Sequence, residues 1–278
     1  MPDALTRDGL RIAYHDLGGS GPELLMAHAT GFHGHIWQPV ADHLDGDFHC
    51  WALDIRGHGH SEVPPDGDFA WTHFVDDVLA VLGALGLERP VALGHSMGAA
   101  TLLMTEQRHP GTFAGLWLYE PAIATPAHLD GVDGPDMVGA TLRRRARFAS
   151  VEEARANYAA KPPMDDFAPE ALDAYLTWGL EPDAAGGVAL RCRPTSEAAV
   201  FAQFPFTDVY RRLGEVSCPV TLVHGSMTKG GQDEDVRDQA ARLADGRVQV
   251  LEGLSHLGPM QDPGLVARAI AGVLASPA

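Results

Sequence analysis

The sequence predicts an α/β architecture: a mostly parallel central sheet covered by helices on both faces, with an inserted helical cap. Three observations carry that prediction. Short apolar strands alternate with amphipathic helices in both halves of the chain, the pattern of a buried parallel sheet. A Gly-x-Ser-x-Gly turn, Gly94-His95-Ser96-Met97-Gly98, stands directly between a strand and a helix. Residues 122–212 then interrupt the alternation with a polar stretch, divided into short pieces by Pro135, Pro162, Pro163, Pro169, Pro182 and Pro194.

Residues 10–14 alternate as an early strand, and residues 23–27 form a short buried one. A helix is expected over 36–44 and a strand over 49–53. Phe74, Val78, Val81, Leu82 and Leu85 recur at helical spacing, with Asp76 and Asp77 assigned to the opposite face. Gly86 and Pro90 end that helix. The strand 91–93 runs into the Ser96 turn and an apolar helix reaching about Arg108. The strand 115–119 stops at Glu120-Pro121. After the interruption come a strand at 220–223, a helix at 235–243, a strand at 247–251 and a last helix from about Leu265. Connections inside a compact domain are far shorter than the interruption. The expected organisation is therefore a core of residues 1–121 and 213–278, with 122–212 as a cap (lid) over the C-terminal strand ends.

Composition narrows the function. A hydrophobic share of 45% and a charged share of 21% are ordinary for a globular enzyme. No segment approaches the roughly 18 unbroken apolar residues of a membrane span. The first eight residues lack the basic start and apolar core of a signal peptide, so a cytoplasmic location is expected. A net charge of −17 repels phosphate backbones and anionic lipid, which disfavours nucleic acid and membrane as partners. Cys50, Cys192 and Cys218 are odd in number and widely spaced, implying neither a disulfide framework nor a structural zinc site.

The Ser96 turn is where chemistry enters. It strains its central residue, and Gly94 and Gly98 remove the side chains that would clash. Such a turn lifts a hydroxyl above the sheet and aims a helix N-terminus at it.

Further marks flank it: His28-Ala29-Thr30-Gly31-Phe32 after an early strand, Asp54-Ile55-Arg56-Gly57-His58-Gly59-His60-Ser61 after the next, and Leu254-Ser255-His256 after the last. With these the chain resembles the α/β-hydrolase superfamily, in the branch carrying a lid. The resemblance covers nearly the whole chain outside residues 122–212. It implies the order Ser, acid, His, with Ser96 as nucleophile and His256 as its base. It assigns the two oxyanion-hole amides to Met97 and Thr30. Most of the 14 histidines are expected on the surface or in packing roles. His28 and His95 resemble positions that brace loops, and His33 and His35 are candidates for the pocket wall. Asp54 and Arg56 read as a structural turn, not a reacting pair.

The acid departs from the commonest pattern. Where most relatives place an Asp, beyond the strand ending at His224-Gly225, this chain has Thr228, within Ser226-Met227-Thr228-Lys229-Gly230. Two repairs are open: a shifted Asp233 or Asp235, or Glu120 at the end of the previous strand, where some relatives carry the acid. Glu120 is favoured, because it follows an unusually apolar run and is pinned by Pro121. In the cap, Arg143, Arg144, Arg145, Arg147 and Arg155 cannot all face one pocket and are read mostly as a solvated face. Phe32, Trp37, Trp178, Phe201, Phe204 and Phe206 are pocket-wall candidates equally explained by core packing.

The expected activity is hydrolysis of a carboxylic ester or lactone through an acyl-enzyme, on a small-molecule substrate, with no metal and no organic cofactor. A rival keeps the triad but cleaves a carbon–carbon bond in a diketone-like substrate. A different class is a ligand receptor with little turnover on the same scaffold. Dehalogenase and epoxide-hydrolase readings are disfavoured, since those use a carboxylate where this chain has Ser96.

Overall fold

The structure is a computed structural model, and it describes residues 2–125, 136–204, 208–228 and 232–274. Pro135, Phe206, Lys229 and Gly230 lie outside these described residues.

The first half runs β1 (Asp3–Leu5), β2 (Arg11–Gly19), β3 (Glu23–Ala27), a 3-10 turn (Gly34–Trp37), α1 (Gln38–Asp42), β4 (His49–Leu53), α2 (Trp71–Leu85), β5 (Val91–His95), α3 (Met97–Arg108) and β6 (Gly115–Tyr119). The inserted segment holds α4 (Met137–Leu142), β7 (Arg147–Phe148), α5 (Val151–Ala159), α6 (Pro169–Gly179), β8 (Leu180–Pro182), β9 (Val188–Leu190), α7 (Pro194–Ala202) and α8 (Asp208–Arg211). The chain closes with β10 (Val220–Gly225), α9 (Gln232–Arg242), β11 (Gly246–Leu251), α10 (Gly258–Gln261) and α11 (Pro263–Leu274).

Eight strands form one sheet in the order β1-β2-β4-β3-β5-β6-β10-β11. β2 runs antiparallel to β1 and β4, while β3, β4, β5, β6, β10 and β11 are mutually parallel. The expected sheet is therefore present, extended by the edge strand β1. Each face carries an apolar cluster. One gathers Phe74, Val78, Leu102 and Leu103 from α2 and α3. The other gathers Trp117, Val266 and Ile270 with Tyr158, Tyr175 and Leu176 of the insertion. The insertion thus shares a core with the sheet. It is helical as expected, and also folds β7, β9 and β8 into a small antiparallel sheet.

Two polar readings change on folding. Asp77 does not face solvent from α2: it is fully buried and bonded twice over by Arg56, through Nε at 2.9 Å and Nη2 at 2.6 Å. A buried, bidentate arginine–carboxylate pair of this kind fixes the loop after β4 against α2. In the insertion, Arg144 departs from the solvated face. It donates to Glu197 at 2.7 Å, to Tyr158 at 3.3 Å and to the Tyr175 hydroxyl. No helix among the described residues is long and apolar enough to cross a membrane.

Candidate active site

The turn at the end of β5 is strained as its sequence requires. Ser96 has φ 52° and ψ −114°, a conformation that non-glycine residues rarely adopt. The flanking glycines are obligatory for space. A Cβ on Gly94 would lie 2.6 Å from the Ala99 amide nitrogen, and one on Gly98 would lie 2.6 Å from the His28 carbonyl oxygen. The second approach presses the first turn of α3, with the Met97 amide, onto the segment leading to Thr30.

His28 holds that segment in place. The Ile55 amide donates to its Nε2 at 3.0 Å, so Nδ1 carries the proton and donates to the Ala29 carbonyl at 2.7 Å. The ring is neutral and braces two loops at once. Burial pushes its pKa down to about 3.

On the far side, β6 ends in Glu120, another residue in the left-handed region at φ 42°. Its backbone amide donates to the Val223 carbonyl at 2.8 Å, which locks the strand end to β10. The side chain is 2% exposed, and its Oε2 lies 2.6 Å from His256 Nδ1. Its Oε1 accepts from the Gly225 amide at 3.0 Å and from the Thr228 hydroxyl at 2.6 Å. Burial alone would raise this carboxyl, but the bonds from His256, Thr228 and Gly225 outweigh it and hold the group below the usual glutamate value. The structure therefore joins Glu120 to His256. Asp233 instead meets His224 at 3.2 Å and Arg237 at 2.9 Å. Thr228, where the sequence comparison with most relatives leads one to expect an Asp, donates its hydroxyl to this same Glu120 carboxylate.

His256 rises from the turn after β11. Its ring lies 4.9 Å from that of His95, which precedes Ser96. The Tyr119 hydroxyl steadies this turn by donating to the Ser255 carbonyl at 2.6 Å. With Nδ1 committed to Glu120, Nε2 is the nitrogen left for a reacting hydroxyl. His33 takes a bracing role: its Nε2 lies 3.2 Å from the Tyr175 carbonyl, tying the loop after Thr30 to α6. Gly31, Phe32, His33, Tyr175, Leu190 and Cys192 line a narrow crevice there. Of the aromatic candidates, Trp37 is core, Phe32 packs edge-on against Tyr175, and Trp178 stacks on His35. Cys50, Cys192 and Cys218 are buried free thiols, and burial pushes Cys50 and Cys218 up to about 12.

These buried neutral histidines set an acid limit on the fold. Burial holds His28 at about 3 and His33 at about 4, and burial together with His256 holds His95 well below its ordinary value. Unfolded histidine binds its proton near pH 6.5, so below that value the unfolded chain takes up protons the folded chain refuses. Stability is full above about pH 6.5 and falls as the pH drops. For His28 and His33 the loss reaches about 2 kcal/mol each at pH 5. Melting curves should show Tm lower by about 10 °C at pH 5 than at pH 7.5. An unchanged Tm would mean that these rings are hydrated or paired in the folded chain.

The profile of the alpha/beta hydrolase family matches residues 24–269. The chain belongs to the α/β-hydrolase family. Among its curated relatives is the non-heme chloroperoxidase CPO-A1 of Kitasatospora aureofaciens, 29% identical over 92% of each chain. The 2-(acetamidomethylene)succinate hydrolase of Mesorhizobium japonicum is 25% identical over 91% of this chain and 87% of its own. The N-formylmaleamate deformylase of Pseudomonas putida is 24% identical over 93% and 90%. The crystal structure of an E-2-(acetamidomethylene)succinate hydrolase superposes with a TM-score of 0.82, at 20% identity, covering 99% of this chain and 98% of that one. That α/β-hydrolase fold is shared over its full length. Two of these relatives are named as a hydrolase and a deformylase.

Proposed function

We propose that this α/β-hydrolase is a serine hydrolase that cleaves a carboxylic ester or lactone through an acyl-enzyme. The observation that carries the reading is the 2.6 Å contact between His256 Nδ1 and the buried Glu120 carboxylate, beside the strained Ser96 turn. In this reaction Ser96 Oγ attacks the carbonyl carbon while His256 Nε2 takes its proton. The Met97 and Thr30 amides receive the negative charge that develops on the carbonyl oxygen. Glu120 stabilises the imidazolium formed in that step. His256 returns the proton to the departing alkoxide, and water then releases the acid by the same path. A lactone follows the same course, its leaving oxygen remaining attached to the acyl group. No step calls for a metal or an organic cofactor, the substrate is a small molecule, and the insertion acts as a lid that shapes the pocket and excludes water.

The experiment is fluorophosphonate labelling of the full chain, followed by a panel of esters, lactones, diketones and N-acyl compounds. Stoichiometric labelling at Ser96 and turnover of an ester or lactone are expected. Labelling with turnover confined to diketones would replace the bond type with carbon–carbon cleavage. A relative named as a deformylase places N-acyl compounds on the same panel. Absence of labelling in the folded chain would point to the receptor reading.

A further inference from the structure

Three side chains that the proposed reaction does not use meet at one place in the sheet. His15 comes from β2, Asp54 directly follows β4, and His60 lies in the turn beyond it. One donor atom from each lies within 4.8 Å of the others. His15 Nε2 stands 2.9 Å from Asp54 Oδ2, and His60 Nδ1 stands 3.8 Å from the same oxygen.

We propose that His15, Asp54 and His60 form a binding site for a divalent transition-metal ion, with zinc as its best-matched occupant.

Two imidazoles and one carboxylate are the donor set that zinc and its neighbours accept. Ligand bonds of 2.0–2.1 Å in tetrahedral geometry put donor atoms about 3.3 Å apart. The two separations to Asp54 Oδ2, 2.9 and 3.8 Å, straddle that value, so an ion fits with small side-chain shifts. The carboxylate is already oriented. Asp54 is fully buried, its Oδ1 accepts from the Gly34 amide at 2.6 Å, and its Oδ2 accepts from the His60 amide at 2.8 Å. Outer bonds of this kind hold a ligand in position before the metal arrives.

The second observation is an unmet need. His15 Nε2 is buried, and among the described residues it meets only Asp54 Oδ2, at 2.9 Å, without the geometry of a regular hydrogen bond. Buried polar atoms are rarely left so. Coordination would satisfy that lone pair. The His35 ring lies 4.0 Å from that of His15 and stacks 3.7 Å from Trp178, which limits the freedom of the first ligand. His60 keeps 23% of its side chain accessible, which gives an ion a way in. The net charge of −17 favours the approach of cations. The three ligands are 39 and 6 residues apart along the chain, from the positions 15, 54 and 60, so no spacing motif announces them.

An ion here would clamp β2 to the loop after β4 without touching Ser96. It should raise Tm and leave fluorophosphonate labelling unchanged, which separates this site from the proposed reaction. The test is calorimetric titration of chelator-stripped full chain with zinc chloride at pH 7.5, with cobalt(II) absorbance as a report on coordination. One saturable equivalent is expected, with visible d–d bands for cobalt. His60→Gln should weaken binding by at least about tenfold while circular dichroism and Ser96 labelling stay unchanged. Absence of a saturable equivalent, or a Kd that His60→Gln leaves unaltered, overturns the site.

Discussion

Ser96→Ala should lower kcat by about a million-fold while leaving the melting profile unchanged. In the proposed reaction the hydroxyl serves the chemistry, while the turn that carries it is held by other atoms. The Ser96 amide donates to the Tyr119 carbonyl at 2.9 Å, and the Ser96 carbonyl accepts from Ala100 and Ala122, each at 3.1 Å. None of these bonds involves Oγ. His256→Ala should cost about as much, and the double variant little more than either, because the two residues act as one unit. Initial rates on the best ester of the panel, paired with calorimetric melts, provide the check. Substantial turnover by a fully folded Ser96→Ala protein would remove Ser96 as nucleophile.

Glu120→Gln should be the next largest loss, about 10⁴-fold in kcat. The amide keeps the shape of the side chain but cannot stabilise an imidazolium, and it can turn its NH₂ toward Nδ1 and impose the wrong tautomer. Thr228→Val grades the same contact. It removes one donor to Oε1 and should cost about tenfold, the value of one hydrogen bond to a charged group. Asp233→Asn should leave kcat unchanged, since that carboxylate serves His224 and Arg237. The pH dependence has a defined sign. A carboxyl held below its unfolded value stabilises the fold above about pH 4.5 and loses that contribution as the pH falls through the lower folded value. Full activity in Glu120→Gln together with a heavy loss in Asp233→Asn would return the acid to the β10 side.

The Ser96 turn was legible because its constraint is local. Two glycines at fixed offsets, a strand before and a helix after, all appear within a dozen residues. The same holds for β3, β4 and β6, whose apolar runs begin and end where the strands do. The contact of Glu120 with His256 was legible from the missing carboxylate at Thr228 together with the apolar run before Glu120 and Pro121 after it. What stayed hidden depends on partners distant in sequence. Asp77 reads as a solvent-facing helix residue until Arg56 reaches it, and Arg144 until Glu197 and two tyrosines enclose it. β1 and the small sheet of β7, β9 and β8 escaped because strands of two or three residues are too short to show alternation. The grouping of His15 with Asp54 and His60 arises from the antiparallel pairing of β2 with β4, which periodicity alone does not reveal.

An acid at the end of β6, as proposed for Glu120, would also change the mechanics of alignment. β5 and β6 are adjacent strands, and the Ser96–Tyr119 bond continues their ladder past the last paired residues, His95 and Tyr119. Ser96 and Glu120 therefore stand at the ends of two strands bonded directly to each other. His256 comes instead from the turn after β11, beyond β10 in the sheet, so in the proposed relay it is the member carried on a separate element. The Tyr119 hydroxyl donates to the Ser255 carbonyl and so ties that turn back to β6, the strand that ends in Glu120.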